Sequence, residues 1–190
     1  MIVGITGMYC SGKNEAVRVF ESEGFRVVDV DVIGHLALEV KKNEILDAFG
    51  GEILIEGRVD RKSLGRIVFK DPDKRRTLER IVHPWMIKEV KRIVGVGGDF
   101  VINAALLIEM CLHVLCNYVI GIEVSEKIAV ERAMKRDGIS EQEARMRIAS
   151  QIPLKEKLHY VDKVIENTSS LEYFLNEVKD FISKIRRGNS

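Results

Sequence analysis

Residues 1–14 read MIVGITGMYCSGKN, and the change of rhythm within them decides the fold. Residues 1–6 form a short apolar run of the kind that makes a buried strand. Ala16, Val17 and Phe20 then recur at helical spacing until Gly24, which predicts a helix over residues 12–23. Between them GMYCSGKN, residues 7–14, follows the phosphate-loop pattern G-x-x-x-x-G-K-[ST] at every position but the last, in the strand-to-helix context the pattern requires. Glycines at 7 and 12 admit backbone conformations that a side chain would obstruct, so successive N–H groups can turn inward on phosphate oxygens. Lys13 adds a charge that reaches terminal phosphates, and the helix amino terminus adds its partial positive charge.

Asn14 is the departure, standing where the pattern has a Ser or Thr whose hydroxyl helps to hold Mg²⁺. An amide oxygen is a neutral donor and could still ligate Mg²⁺ directly or through water. Cys10 reads as a small residue whose backbone N–H matters. The three cysteines have no metal-ligand spacing with the four histidines and read as reduced thiols.

Working outward, β-branched runs at 25–30, 100–104, 118–124 and 161–166 alternate with helical periods, which is the signature of an α/β protein with a five-stranded parallel sheet. The expectation is a three-layer αβα P-loop NTPase fold. Its core would take residues 1–31, 95–124 and 161–190. The segment between the second and third strands, residues 32–94, is too long for a simple crossover and reads as an inserted helical sub-domain. It contains a turn at Glu56-Gly57 and Asp71-Pro72 as a helix cap followed by Pro. Residues 125–160 have the size and polar composition of a helical lid, with Ser140 and Glu143 as a capping-box pair. The last helix carries Leu171, Phe174, Leu175, Val178, Phe181, Ile182 and Ile185 on one face, with Ser169 and Glu172 suited to cap it.

The chain has 190 residues, 46% hydrophobic and 31% charged, with a net charge of +1 from 30 basic and 29 acidic side chains. That composition excludes disorder and lacks the basic excess of most nucleic-acid binders. Only 6% of residues are aromatic, so no basic stripe is interleaved with stacking platforms. No window near 20 residues is free of polar groups and the amino terminus lacks a signal-peptide shape, so no membrane span is expected and the cytoplasm is the default compartment. The average hides a split. Residues 1–57 hold five basic against ten acidic side chains, whereas residues 58–92 hold twelve against five. The insertion is the basic part, as either a solvated helix surface or a seat for a polyanion of defined size.

The second strand ends in Val-Asp-Val-Asp, with Asp31 at the carboxyl end where α/β sheets place ligands. A carboxylate there could accept a proton from an attacking hydroxyl or hold Mg²⁺ through water. It could equally be a helix N-cap.

Taken together, the segments resemble the dephospho-CoA kinase family along nearly the whole chain. The resemblance runs through VGITG with the phosphate loop, VVDVDVIGH at 27–35, RVDRKSLGRIVFKDP at 58–72, IVHP at 81–84, ALLIE at 105–109, ERAMKRDG at 131–138 and VDKVIENTSSL at 161–171. It implies phosphorylation of the ribose 3′-hydroxyl of dephospho-CoA by ATP with Mg²⁺. Asp31 would be the base, and Lys13 with Gly7, Gly12 and the loop residues Cys10, Ser11, Asn14 and Glu15 would hold ATP. Arg132 and Arg136 would be lid arginines, and His35, Arg61 and His83 would bind the acceptor. Three positions depart from the family: Asn14, Ala105 in place of Pro, and Leu154 where an Arg is expected, with Lys155 and Lys157 nearby. A nucleotide- or CoA-binding homologue without catalysis, and a P-loop kinase for another acceptor, are the alternative readings.

Overall fold

The computed structural model describes residues 1–188. Strand β1 (Ile2–Gly7) leads through the loop into helix α1 (Lys13–Ser22) and strand β2 (Arg26–Asp29). Strands β5 (Phe100–Asn103), β6 (Tyr118–Glu123) and β7 (Lys163–Glu166) complete a five-stranded parallel sheet in the order β2-β5-β1-β6-β7. β1 lies at its centre, with Ile5 beside Asn103 on one side and Ile120 on the other. Its residues from Val3 onward are buried, as a central parallel strand covered on both faces requires. All five expected strands are present, within one to two residues of the expected ends. This sheet, with β1 and α1 flanking the loop, is the α/β fold the opening residues predict.

Contacts divide the chain into two compact units, one of Met1–Val28 with the chain from Gly97 onward, the other Asp29–Val96. In the first, the core joins Val3 and Ile5 of β1, Val17 and Phe20 of α1, and Ile120 and Ile122 of β6. The apolar stripe of helix α9 (Leu171–Gly188), including Phe174, Val178 and Ile182, belongs to the same cluster. Fully burying a Phe or Ile of this kind contributes roughly 1.5–3 kcal/mol. Phe20 meets Phe25 edge to face, with ring centroids 5.1 Å apart. The cap of α9 is Ser170, whose hydroxyl accepts from the Tyr173 N–H at 3.2 Å, and not the expected Ser169. Helices α6 (Glu126–Asp137), α7 (Glu141–Ala149) and the short α8 (Leu154–Lys157) also belong to this unit. Ser140 caps α7 by accepting from the Glu143 N–H.

The second unit contains helices α2 (Val30–Val40), α3 (Lys42–Phe49), α4 (Arg61–Lys70) and α5 (Pro72–Val94). Glu56 and Gly57, both at positive φ, close a two-residue hairpin between β3 (Leu54–Ile55) and β4 (Arg58–Val59). Aspartates cap three of its helices: Asp29 caps α2, Asp60 caps α4 and Asp71 caps α5. Asp31 is therefore not the cap; it stands in the first turn of α2, and its N–H donates to Asp29 at 2.9 Å. Helix α5 runs on through Pro84 and buries Val82, Met86, Val90 and Val94. Gly34 lets α2 approach it closely, because a Cβ there would lie 3.3 Å from the Met86 methyl.

Candidate active site

The loop from Gly7 to Lys13 is held from several directions within the first unit. Cys10 and Gly12 both sit at positive φ, 60° and 100°, which turns the chain back on itself before α1 starts. A Cβ at Gly12 would lie 2.1 Å from Asn167 Nδ2, so only glycine fits. Asn167, buried just past the end of β7, donates that amide to the Ser11 carbonyl at 2.8 Å, and its own N–H goes to Glu123 at 2.8 Å. Ser11 is fully buried, and its hydroxyl has no hydrogen-bond partner among the described residues. Its side chain therefore packs beneath the loop, and its N–H donates to the Met8 carbonyl at 3.1 Å. Lys13 Nζ donates to the Gly7 and Met8 carbonyls at 2.9 and 3.0 Å, an ammonium folded across the loop.

Helix α1 begins at Gly12 with no side-chain cap, in contrast to α2, α4, α5, α6 and α7, which Asp or Ser residues cap. The Glu15 N–H turns back to the Gly12 carbonyl at 3.0 Å, and no side chain caps the N–H groups ahead of it at the positive end of the helix. Asn14, in its first turn, accepts a hydrogen bond from Asn103 at the end of β5, at 3.0 Å. No group of three or more His, Cys, Asp or Glu side chains able to hold a metal occurs among the described residues. A cation here would rely on Asn14, phosphate oxygens and water, which suits Mg²⁺, an ion that keeps several waters when it binds beside phosphates.

Both expected lid arginines come to this loop. Arg132, on α6, donates to the Asn167 carbonyl at 3.3 Å and stands beside Gly12. Arg136 lies over the Tyr9 ring, 5.1 Å from its centroid, and pairs with Asp137 at 2.8 Å. That pairing holds the guanidinium more firmly protonated than usual and pulls the Asp137 carboxyl below its ordinary value. The sequence reading missed the other members. The Tyr9 hydroxyl donates to Asp137 and accepts from Arg147 at 2.8 Å, and its backbone N–H donates to Gln151 at 2.8 Å. Burial raises the Tyr9 phenol, keeping it protonated as a donor. Tyr9 and Cys10 pack against the small core of Val130, Ala133 and Ala144, and burial likewise raises the Cys10 thiol, so Cys10 is a packing residue. Tyr9 escaped notice because the loop pattern is silent at that position; Asn167 lay inside a recognised segment with no role attached.

Leu154, where an arginine is expected, has a structural explanation, whereas Ala105 in place of Pro has none. Leu154 is buried, with a methyl 2.8 Å from where a Cβ on Gly121 would stand, so it fills the space over β6 and reaches no ligand. Lys157 is 2% exposed and pairs with Glu109 at 2.7 Å while donating to the Ala105 carbonyl at 3.1 Å. It fastens the loop after β5 and is not available as a substitute for the missing arginine.

In the second unit, Arg61 donates to His35 Nε2 at 2.7 Å. Burial and the Arg61 charge lower the His35 pKa, and the nearby Asp31 and Asp29 carboxylates act in the opposite sense. Asp31, His35 and Arg61 thus form one electrostatic group. His83 lies on α5, on a stripe with Arg76, Thr77 and Arg80.

Comparison with known proteins gives this arrangement its context. The family model CoaE, dephospho-CoA kinase, matches residues 1–172. A dephospho-CoA kinase of Carboxydothermus hydrogenoformans is 34% identical over 96% of this chain and 93% of its own. Among solved structures, TT1252 from Thermus thermophilus superposes with a TM-score of 0.80 at 31% identity, covering 97% of both chains. Dephospho-CoA kinase from Campylobacter jejuni does so with a TM-score of 0.63 at 27% identity, over 97% of this chain and 96% of that one. With the match spanning the phosphate loop, the arginines of α6 and the insertion alike, the chain belongs to the dephospho-CoA kinase family and is an enzyme of that activity, using ATP as co-substrate.

Proposed function

We propose that the loop and the group around Asp31 divide the reaction between them, the first holding ATP and the second the ribose 3′-hydroxyl of dephospho-CoA. The observation that carries this reading is the uncapped start of α1 behind a glycine-shaped loop, with Lys13 and Arg132 beside it. The loop from Gly7 to Glu15, including Ser11, surrounds the phosphates with the backbone N–H groups of Cys10, Gly12 and Asn14 as donors, and Lys13 exchanges its two loop carbonyls for phosphate oxygens. Asn14, directly or through water, and Asp31, through water, would hold Mg²⁺, which would supply charge neutralisation at the phosphates when bound.

Asp31 accepts the proton of the 3′-hydroxyl as that oxygen bonds to the terminal phosphorus. The bond to the bridging oxygen breaks, and ADP leaves with the electron pair. Arg132 and Arg136 stabilise charge on the transferring phosphoryl group, Arg136 releasing Asp137 to do so. His35, Arg61 and His83 bind the acceptor. Phosphoryl transfer asks chiefly for positioning and charge neutralisation, and these residue types supply both. The three cysteines are all free thiols, which fits the reducing cytoplasm as the site of action, with no nucleic acid or membrane as partner. No helix of the described residues is long and apolar enough to cross a membrane.

The test is ADP release with Mg-ATP against a panel of dephospho-CoA, nucleosides, nucleotides and sugars, with products identified by mass. Turnover confined to dephospho-CoA, yielding coenzyme A, supports the reading. Preference for another acceptor refutes it.

A further inference from the structure

One face of α5 is unlike the rest of the second unit. Arg76, Thr77, Arg80, His83, Pro84 and Ile87 recur at intervals of one, three, three, one and three, where Thr77 and Arg80, and Arg80 and His83, are each one turn apart; together they line a groove of 710 Å³. The stripe flanks the row of Val82, Met86 and Val90, which are buried on the unit's own side of the helix. Two acids border the groove, and each already has a cation. Asp73 pairs with Arg76, and Glu79 pairs with Arg75 at 3.7 Å. Arg80 has no carboxylate partner among the described residues; its guanidinium donates to the Thr77 hydroxyl at 3.2 Å. An exposed cation placed beside a hydroxyl, a histidine and a second arginine one turn away is a preformed seat for an anion that carries two adjacent charges.

We propose that this stripe seats the diphosphate of the acceptor, with Arg80 and Arg76 gripping its oxygens and Thr77 holding Arg80 in place. The proposal rests on the reading of the second unit as the acceptor's side. The phosphates of ATP already have their own site at α1, so a second phosphate-binding stripe calls for a second phosphate-bearing substrate. Arg76 joins by exchanging Asp73 for phosphate, which costs little because an exposed pair between neighbouring turns is weak. Ile87 and Pro84 give the same groove an apolar end, suited to the less charged arm of a molecule joined through a diphosphate.

The experiment is steady-state kinetics at saturating Mg-ATP for wild type, Arg80→Gln and the double variant Arg76→Gln/Arg80→Gln, with inorganic pyrophosphate as competitor. The single change should raise the KM for dephospho-CoA at least about tenfold, the loss of one charge-assisted contact, with kcat and the KM for ATP held. The double change should raise it further, and pyrophosphate should compete with dephospho-CoA in wild type and much less in the variants. An unchanged KM overturns the proposal, as does a fall in kcat alone, which would place Arg80 at the transferring phosphoryl group. Both residues are exposed, so an unchanged melting temperature separates these results from misfolding. If the wild type does not turn over dephospho-CoA, the reading of the second unit fails, and that arm shows it independently of the variants.

Discussion

The phosphate loop and the acceptor-side group are built in opposite ways. Around the loop, Asn167, Gln151, Arg132 and the Tyr9 cluster converge from β7, the segment after α7 and α6, so each turn of backbone is held by groups distant in sequence. On the proposed acceptor side, Asp31, His35 and Arg61 stand on first turns or exposed faces of helices that Asp29 and Asp60 cap, with Arg61 bonded to His35. Phosphate recognition by backbone N–H groups requires a main chain that does not reorganise, which is worth far more in a fixed site than in water. An acceptor of many rotatable bonds is better met by long side chains that can exchange partners. On the proposed assignment, the donor is met by a preorganised backbone and the acceptor by side chains able to exchange partners.

The most severe test of that division is at Asp31. Replacing it with Asn removes a proton acceptor and leaves shape and binding in place, so kcat should fall by about 10²–10⁴ with both substrates still bound. Equilibrium binding beside single-turnover kinetics checks this, and unaltered turnover would remove Asp31 from the chemistry. A smaller effect is expected at Asn14. Its oxygen is neutral and is already bonded to Asn103, so Asn14→Thr should lower the Mg²⁺ concentration needed for half-maximal activity. A metal titration that superposes on wild type would show that the amide is an adequate ligand. The mildest effect concerns His35. Its pKa is lowered from 6.5 by burial and Arg61, so the folded state binds a proton less readily than the unfolded chain. The stabilisation from the neutral ring accepting Arg61 is therefore present above pH 6.5 and is lost as pH falls through the lower folded value. An NMR titration of the ring should give a midpoint below 6.5, and Arg61→Ala should raise it; an equal midpoint in both proteins would deny the contact.

Much of the loop's strand–turn–helix geometry was legible in fourteen residues because a phosphate loop is a local device. Strand, glycines, lysine and helix follow one another in the chain, and each carries its own conformational signal. The five strands were legible for the same reason. What could not be read was convergence. Nothing at Tyr9 announces Asp137, Arg147 or Gln151, which lie more than 120 residues away, and Asn167 reaches Ser11 across 156. Local ambiguity accounts for one smaller error, the cap of α9, and for one choice left open, the role of Asp31. Asp29 and Asp31 are both sound cap residues, as are Ser169 and Ser170, and the choice within each pair falls to where the preceding strand or turn ends. Leu154 shows the converse: read against the family pattern it is a missing arginine, whereas in the fold it is a packed side chain over Gly121.

The central claim, that donor and acceptor are read by separate parts of the chain, is tested most directly by measuring KM for both substrates in Lys13→Ala and Arg61→Ala. Lys13→Ala should lower kcat and raise the KM for ATP while that for dephospho-CoA holds. Arg61→Ala should raise the KM for dephospho-CoA and spare that for ATP. A Lys13→Ala enzyme with wild-type ATP kinetics, or an Arg61→Ala enzyme impaired in ATP alone, would contradict the account.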